Sequence, residues 1–84
     1  MNKKKDKPSQ DQVAELQAAK DRAELDFRNA KLAFYNRIEY KGEPVSYEIL
    51  HNYAERLIAS NYEYQKAVYG TIKVKISVAR LMRR

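Results

Sequence analysis

The chain has 84 residues, a net charge of +6 and no cysteine, with 33% charged and 44% hydrophobic residues. A single domain of this size buries only about 60% of the surface its unfolded form exposes, so its core is thin or shared. The composition is too apolar for disorder, and the absence of cysteine excludes a disulfide framework and every Cys-based zinc site. Two Gly and two Pro supply little turn material, which favours long helices over many short strands.

Residues 1–8 are Lys-rich and end on a Pro. They are basic enough for the first region of a signal peptide, but no apolar run follows, and with nothing to pack against they are expected to form a flexible basic tail. No later stretch approaches the roughly 20 apolar residues of a membrane span. The expectation is a soluble, cytoplasmic protein with no membrane span.

Ser9 and Gln12 make a capping-box pattern, which predicts a helix beginning at residue 10. From there to about Glu39 no Gly or Pro intervenes. Heptad sampling places Val13, Lys20, Phe27 and Phe34 on one row and Leu16, Ala23, Ala30 and Arg37 on the next. Lys20 and Arg37 are the exceptions to an apolar seam. Leu25, Leu32 and Tyr35 widen the stripe on one side, which suits a bundle helix.

The stretch from Tyr40 to Val45 contains Gly42 and Pro44 and is predicted to be the hairpin loop. Ser46 is the next N-cap, with Glu48 near the positive helix end and Val45 placed to staple against Leu50. The second helix is predicted over residues 47–82, with rows Leu50, Leu57, Tyr64, Thr71, Val78 and Tyr53, Ser60, Ala67, Val74, Leu81. This register runs through Gly70, although a Gly costs about 1 kcal/mol in a helix interior, so a bend or break is expected there if anywhere. Residues 71–78 also alternate as a strand does, but a lone strand has no partner in this chain except another copy. The sequence thus predicts an all-α, long antiparallel helical hairpin over residues 9–84, coiled-coil-like in its patterning.

Two helices cover only one strip of each other. Leu25, Leu32 and Tyr35 on the first helix and Ile58, Val68, Ile72 and Ile76 on the second are then left as an apolar patch that needs cover. The simplest cover is a second copy completing a four-helix bundle, and the alternative is a groove on another protein.

Charge is concentrated at the two ends. Lys3, Lys4, Lys5 and Lys7 outweigh Asp6, and Lys73, Lys75, Arg80, Arg83 and Arg84 face no acid in residues 73–84, which leaves the middle slightly acidic. In an antiparallel hairpin both clusters share one pole, where they could contact DNA or RNA through phosphates. Equally, charged ends keep a small helical protein soluble. No sequence-specific nucleic-acid motif is present.

Little in the chain suggests catalysis, and no cofactor or metal is expected. Glu48 and His51 match the Glu-x-x-His spacing of carboxylate-bridged di-iron bundles, but with Leu50, Tyr53 and Leu57 facing inward both point away from the seam. His51 is the lone histidine, which leaves no convincing Ser–His–Asp set, and no glycine-rich phosphate loop exists. Seven tyrosines, Tyr35, Tyr40, Tyr47, Tyr53, Tyr62, Tyr64 and Tyr69, are many for this length. Stacked bases would use them, but their helical spacing places them at the edge of a bundle.

Tyr40-Lys41-Gly42 between two long helices resembles the W-x-G turn of small secreted helical-hairpin proteins, with Tyr in place of Trp and a more basic composition. The spacing of Tyr53, Tyr62 and Tyr64 after a Pro-containing loop is similar to a family of short bacterial proteins of the YaaL type. Neither resemblance assigns a function. The reading carried forward is a non-enzymatic helical interaction or assembly protein with a basic pole, in the style of small phage or mobile-element proteins that line, scaffold or regulate larger assemblies. The alternative is a non-specific nucleic-acid-binding protein acting through residues 1–7 and 73–84.

Overall fold

Each helix begins on a serine, and these caps set the order of the elements. A computed structural model describes residues 9–83. The predicted basic tail, with Lys3, Lys4, Lys5 and Lys7, lies outside the described residues, as does Arg84. Helix α1 spans Gln10–Asn36. The Ser9 hydroxyl accepts the Gln12 N–H at 3.1 Å while the Gln12 side chain accepts the Ser9 N–H at 3.4 Å, completing the expected capping box.

Helix α1 ends three residues short of the expected Glu39, because Arg37 turns left-handed at φ 56° and ψ 43°. There the Ile38 N–H donates to the Ala33 carbonyl at 3.0 Å and the Arg37 N–H to that of Phe34 at 3.4 Å, a Schellman closure with Arg where Gly is usual. This accounts for the polar Arg37 in an otherwise apolar row: it caps the helix. The loop is a miniature antiparallel hairpin, β1 Glu39–Tyr40 and β2 Glu43–Pro44, with Tyr40 opposite Glu43. Lys41 and Gly42 both have positive φ, 55° and 84°, the two-residue turn that matches the twist of paired strands.

Helix α2 spans Tyr47–Tyr69, capped by the Ser46 hydroxyl on the Ile49 N–H at 3.1 Å. It stops at Gly70, whose φ of 78° reverses the chain, so the helix does not run on to residue 82. Residues 71–77 return without regular structure, as neither helix nor strand, and a short α3, Val78–Met82, starts on the Ser77 cap.

Helices α1 and α2 pack antiparallel as an all-α hairpin, and the molecule measures 55 × 24 × 14 Å. The core is Phe27, Ala30, Leu50, Ala54, Leu57 and Met82, flanked by Ala23, Phe34, Tyr40, Val45, Tyr53, Val78 and Leu81. Alanines at the contact let the helices approach closely. Leu50 is fully buried. Met82 reaches this core from the returning segment, so the chain itself supplies part of the cover that two helices lack.

Candidate functional site

The reversal at Gly70 redistributes the basic residues. The Lys31 ammonium donates to the carbonyls of Leu81, at 2.8 Å, and of Arg83, and the Tyr35 hydroxyl to that of Met82 at 3.2 Å. Lys31 stands roughly 30 Å along α1 from its start, at 1.5 Å per residue. Arg83 therefore lies beside the turn-end half of the hairpin, whereas Lys73 remains at the open end with its ammonium 5.5 Å from the Tyr69 ring centre. The described part of the second cluster, Lys73, Lys75, Arg80 and Arg83, is exposed but strung along the rod, not gathered at one pole. The cause is the left-handed Gly70, which turns the chain where an unbroken helix would have kept going.

The residues expected to form an apolar patch divide into two groups. Leu25, Leu32, Tyr35 and Val68 are exposed, Leu32 at 56%. Ile58, Ile72 and Ile76 are half-buried, and Ile72 and Ile76 belong to the returning segment, not to a face of α2. Leu25 and Leu32 share one face of α1, two turns apart, and Tyr35 follows three residues on. Tyr35 leads into an open cleft of about 820 Å³ at the turn end, lined by Phe34, Ile38, Pro44 and Val45 among others. The neighbouring Tyr47 is 62% exposed and meets Phe34 edge to face, ring centres 6.3 Å apart.

A polar cluster fixes the turn to α1. The Tyr40 hydroxyl donates to Asp26 Oδ1 at 2.7 Å, and the Lys41 ammonium reaches the same oxygen at 3.2 Å. The bond from Tyr40 is the main reason that Asp26 holds its proton less tightly than an ordinary carboxyl; Lys41 and the charge of Arg56 add to it, and partial burial opposes them. The same bond raises the Tyr40 pKa, and Asp26 also raises that of Lys41. Tyr53 packs against Tyr40 and carries Arg56 over its ring at 5.3 Å. These groups neutralise and orient one another, which is the behaviour of a structural clamp.

A second clamp was not legible in advance. Gln65, the one buried polar side chain among the described residues, accepts the N–H groups of Lys73 and Val74 at 2.7 and 2.8 Å and donates to the Val74 carbonyl at 2.8 Å. Its side-chain amide thus takes the place of a strand's peptide group. The Tyr62 hydroxyl does the same for Ile76, accepting its N–H at 2.9 Å and donating to its carbonyl at 3.0 Å. The alternation in residues 71–78 was the only signal, and it pointed to a strand partner that is in fact two side chains.

His51 lies 3.8 Å from Glu55 on the next turn of α2, and Glu48 is exposed. Among the described residues no three His, Asp or Glu side chains converge as a metal site, and no helix is long and apolar enough to cross a membrane. No family model, no curated protein and no solved structure matches the chain.

Proposed function

We propose that the protein is a non-enzymatic helical interaction protein that assembles with a second copy of itself through the Leu25, Leu32 and Tyr35 face of α1. The observation that carries this reading is the exposure of Leu25, Leu32 and Tyr35 at helical spacing on α1, with Ile38 and Tyr47 exposed beyond its turn end. Scattered apolar residues on a surface are ordinary, but exposed apolar residues that recur at helical spacing along one helix are the form that helix pairing uses. Two hairpins apposed along α1 bury this stripe and build a four-helix bundle.

Sedimentation velocity across the micromolar range tests it. The expected result is a concentration-dependent dimer that becomes monomeric when Leu25 and Leu32 are both changed to Lys, with the helical circular dichroism unchanged. A monomer at every concentration overturns self-association. Co-sedimentation of a different protein that the double variant no longer binds would instead assign the stripe to a foreign helix.

A second reading, non-specific nucleic-acid binding, is favoured by the exposed Lys73, Lys75, Arg80 and Arg83. Affinity for DNA or RNA should then fall steeply as salt rises.

A further inference from the structure

One position on the core-facing row of α1 does not belong in a core. Lys20 precedes Phe27 by one heptad, and its side chain is only 20% exposed. A half-buried ammonium is normally answered by a carboxylate. The acid within reach, Asp21, is its chain neighbour at 3.5 Å and is itself largely in solvent. The Lys20 ammonium lies instead 5.3 Å from the centre of the Tyr64 ring, in a cleft of about 480 Å³ at the open end of the hairpin.

Among the described residues no carboxylate lines this cleft. Lys20 and Lys73 contribute two ammonium groups. Asn61 spends its oxygen on Gln65, so its amide NH₂ is the group left to donate. Gln65 is occupied on both sides by residues 73 and 74. Tyr69 and Val74 are exposed beside these donors. The cleft therefore offers cations and an N–H donor to an anion, and an aromatic ring and an apolar edge to a flat group, in a volume within the range of small-molecule sites.

We propose that this cleft binds a phosphorylated nucleoside, either free or as one unit of a single strand. The phosphate lies between Lys20 and Lys73 with the Asn61 amide donating to it, and the base stacks on Tyr69. A charge-assisted hydrogen bond to phosphate is stronger than an exposed cation–π contact, so the phosphate draws Lys73 off the Tyr69 ring and frees that face for the base. Lys20 is five residues, or 140° of helix at 100° per residue, from Leu25. The site is thus separate from the dimer stripe, and either can fail without the other.

The test is an NMR titration of the full chain at low salt with adenosine monophosphate, a short single-stranded oligoadenylate, inorganic phosphate and a DNA duplex. The expected shifts are at the Asn61 side-chain NH₂, the Tyr69 ring and the backbone amides of Lys73 and Val74. Lys20→Met, which suits a core row and keeps the fold, should weaken binding by about tenfold or more. Lys20→Arg should retain it, and Tyr69→Leu should weaken the nucleotide but not inorganic phosphate. Binding of the monophosphate identifies a free nucleotide as sufficient; binding of the oligoadenylate alone identifies the single strand. Shifts confined to residues 1–8 and 80–84, equal affinity for duplex and single strand, full binding by Lys20→Met, or no shift at millimolar ligand would each overturn the site.

Discussion

At the turn end, α1 and α2 close on Phe27, Ala30, Leu50, Ala54 and Leu57, with Met82 inserted from a third side. At the open end, residues 10–22 and 59–77, the one buried side chain among the described residues is the polar Gln65. The first region is held by apolar area removed from water, which is insensitive to small displacements. The second is held by hydrogen bonds from Gln65 and Tyr62 that water can replace, so each contributes little net free energy while fixing geometry. A thin protein can thus anchor itself at one end and leave the other adjustable, and the adjustable end is where the half-buried Lys20 and the exposed Tyr69 lie.

The strongest challenge to this division is Leu50→Ala. Removing a fully buried side chain at the contact of three elements should cost about 3 kcal/mol, read as a lowered urea midpoint, whereas a value below about 1 kcal/mol would mean that the turn end is not the anchor. Next in size is Gln65→Leu, which strips the clamp from Lys73 and Val74. Local release costs about 1–2 kcal/mol, and trypsin should then cleave after Lys73 and Lys75 several-fold faster while the urea midpoint hardly moves. Equal cleavage rates would show that the returning segment is held by something else.

Tyr40→Phe sharpens the comparison at the turn, with a loss of about 1.5 kcal/mol at neutral pH for one hydrogen bond to a charged group. Its pH dependence follows from Asp26. Because the folded state lowers the Asp26 pKa, the unfolded chain binds that proton more readily. The stabilisation is complete above the unfolded value near pH 4 and is lost as pH falls through the lower folded value. Tyr40, with its pKa raised, loses its share only at alkaline pH, as pH rises through that raised value. The Phe variant should therefore show a flatter loss of stability below about pH 4 than the parent. Parallel acid curves for the two proteins would refute the Asp26 assignment.

Much of the hairpin was legible because its signals are local. Ser9 with Gln12, Ser46 with Val45, and the Gly42–Pro44 punctuation each act within a few residues, and each is found where expected. The heptad rows also identified Val78 and Leu81 as core-facing, and both do pack on the core. They arrive by a reversed path, because an apolar pattern states which side chains are buried and not the route by which the backbone brings them there. The break falls at Gly70, where one is expected if anywhere, but a register continuous through it concealed the full reversal of the chain, and with it the displacement of Arg80 and Arg83 from the open end. Ser77, the cap of α3, had the same chemistry as Ser9 and Ser46 but was hidden inside a stretch read as helix. Ala54 escaped the rows because close helix contact recruits small residues beside the seam. Of the candidate site, Lys20 was visible as an anomaly in its row, but its partners Asn61, Tyr64, Tyr69 and Lys73 are brought to it only by the fold.

Amide hydrogen exchange on the unmodified protein tests the two-ended account most directly. The slowest amides should lie in residues 27–33 and 50–57, and those of Lys73, Val74 and Ile76, although hydrogen-bonded, should exchange at least tenfold faster through local opening. Uniform protection along the rod, or slower exchange at residues 73–76 than at 50–57, would contradict it.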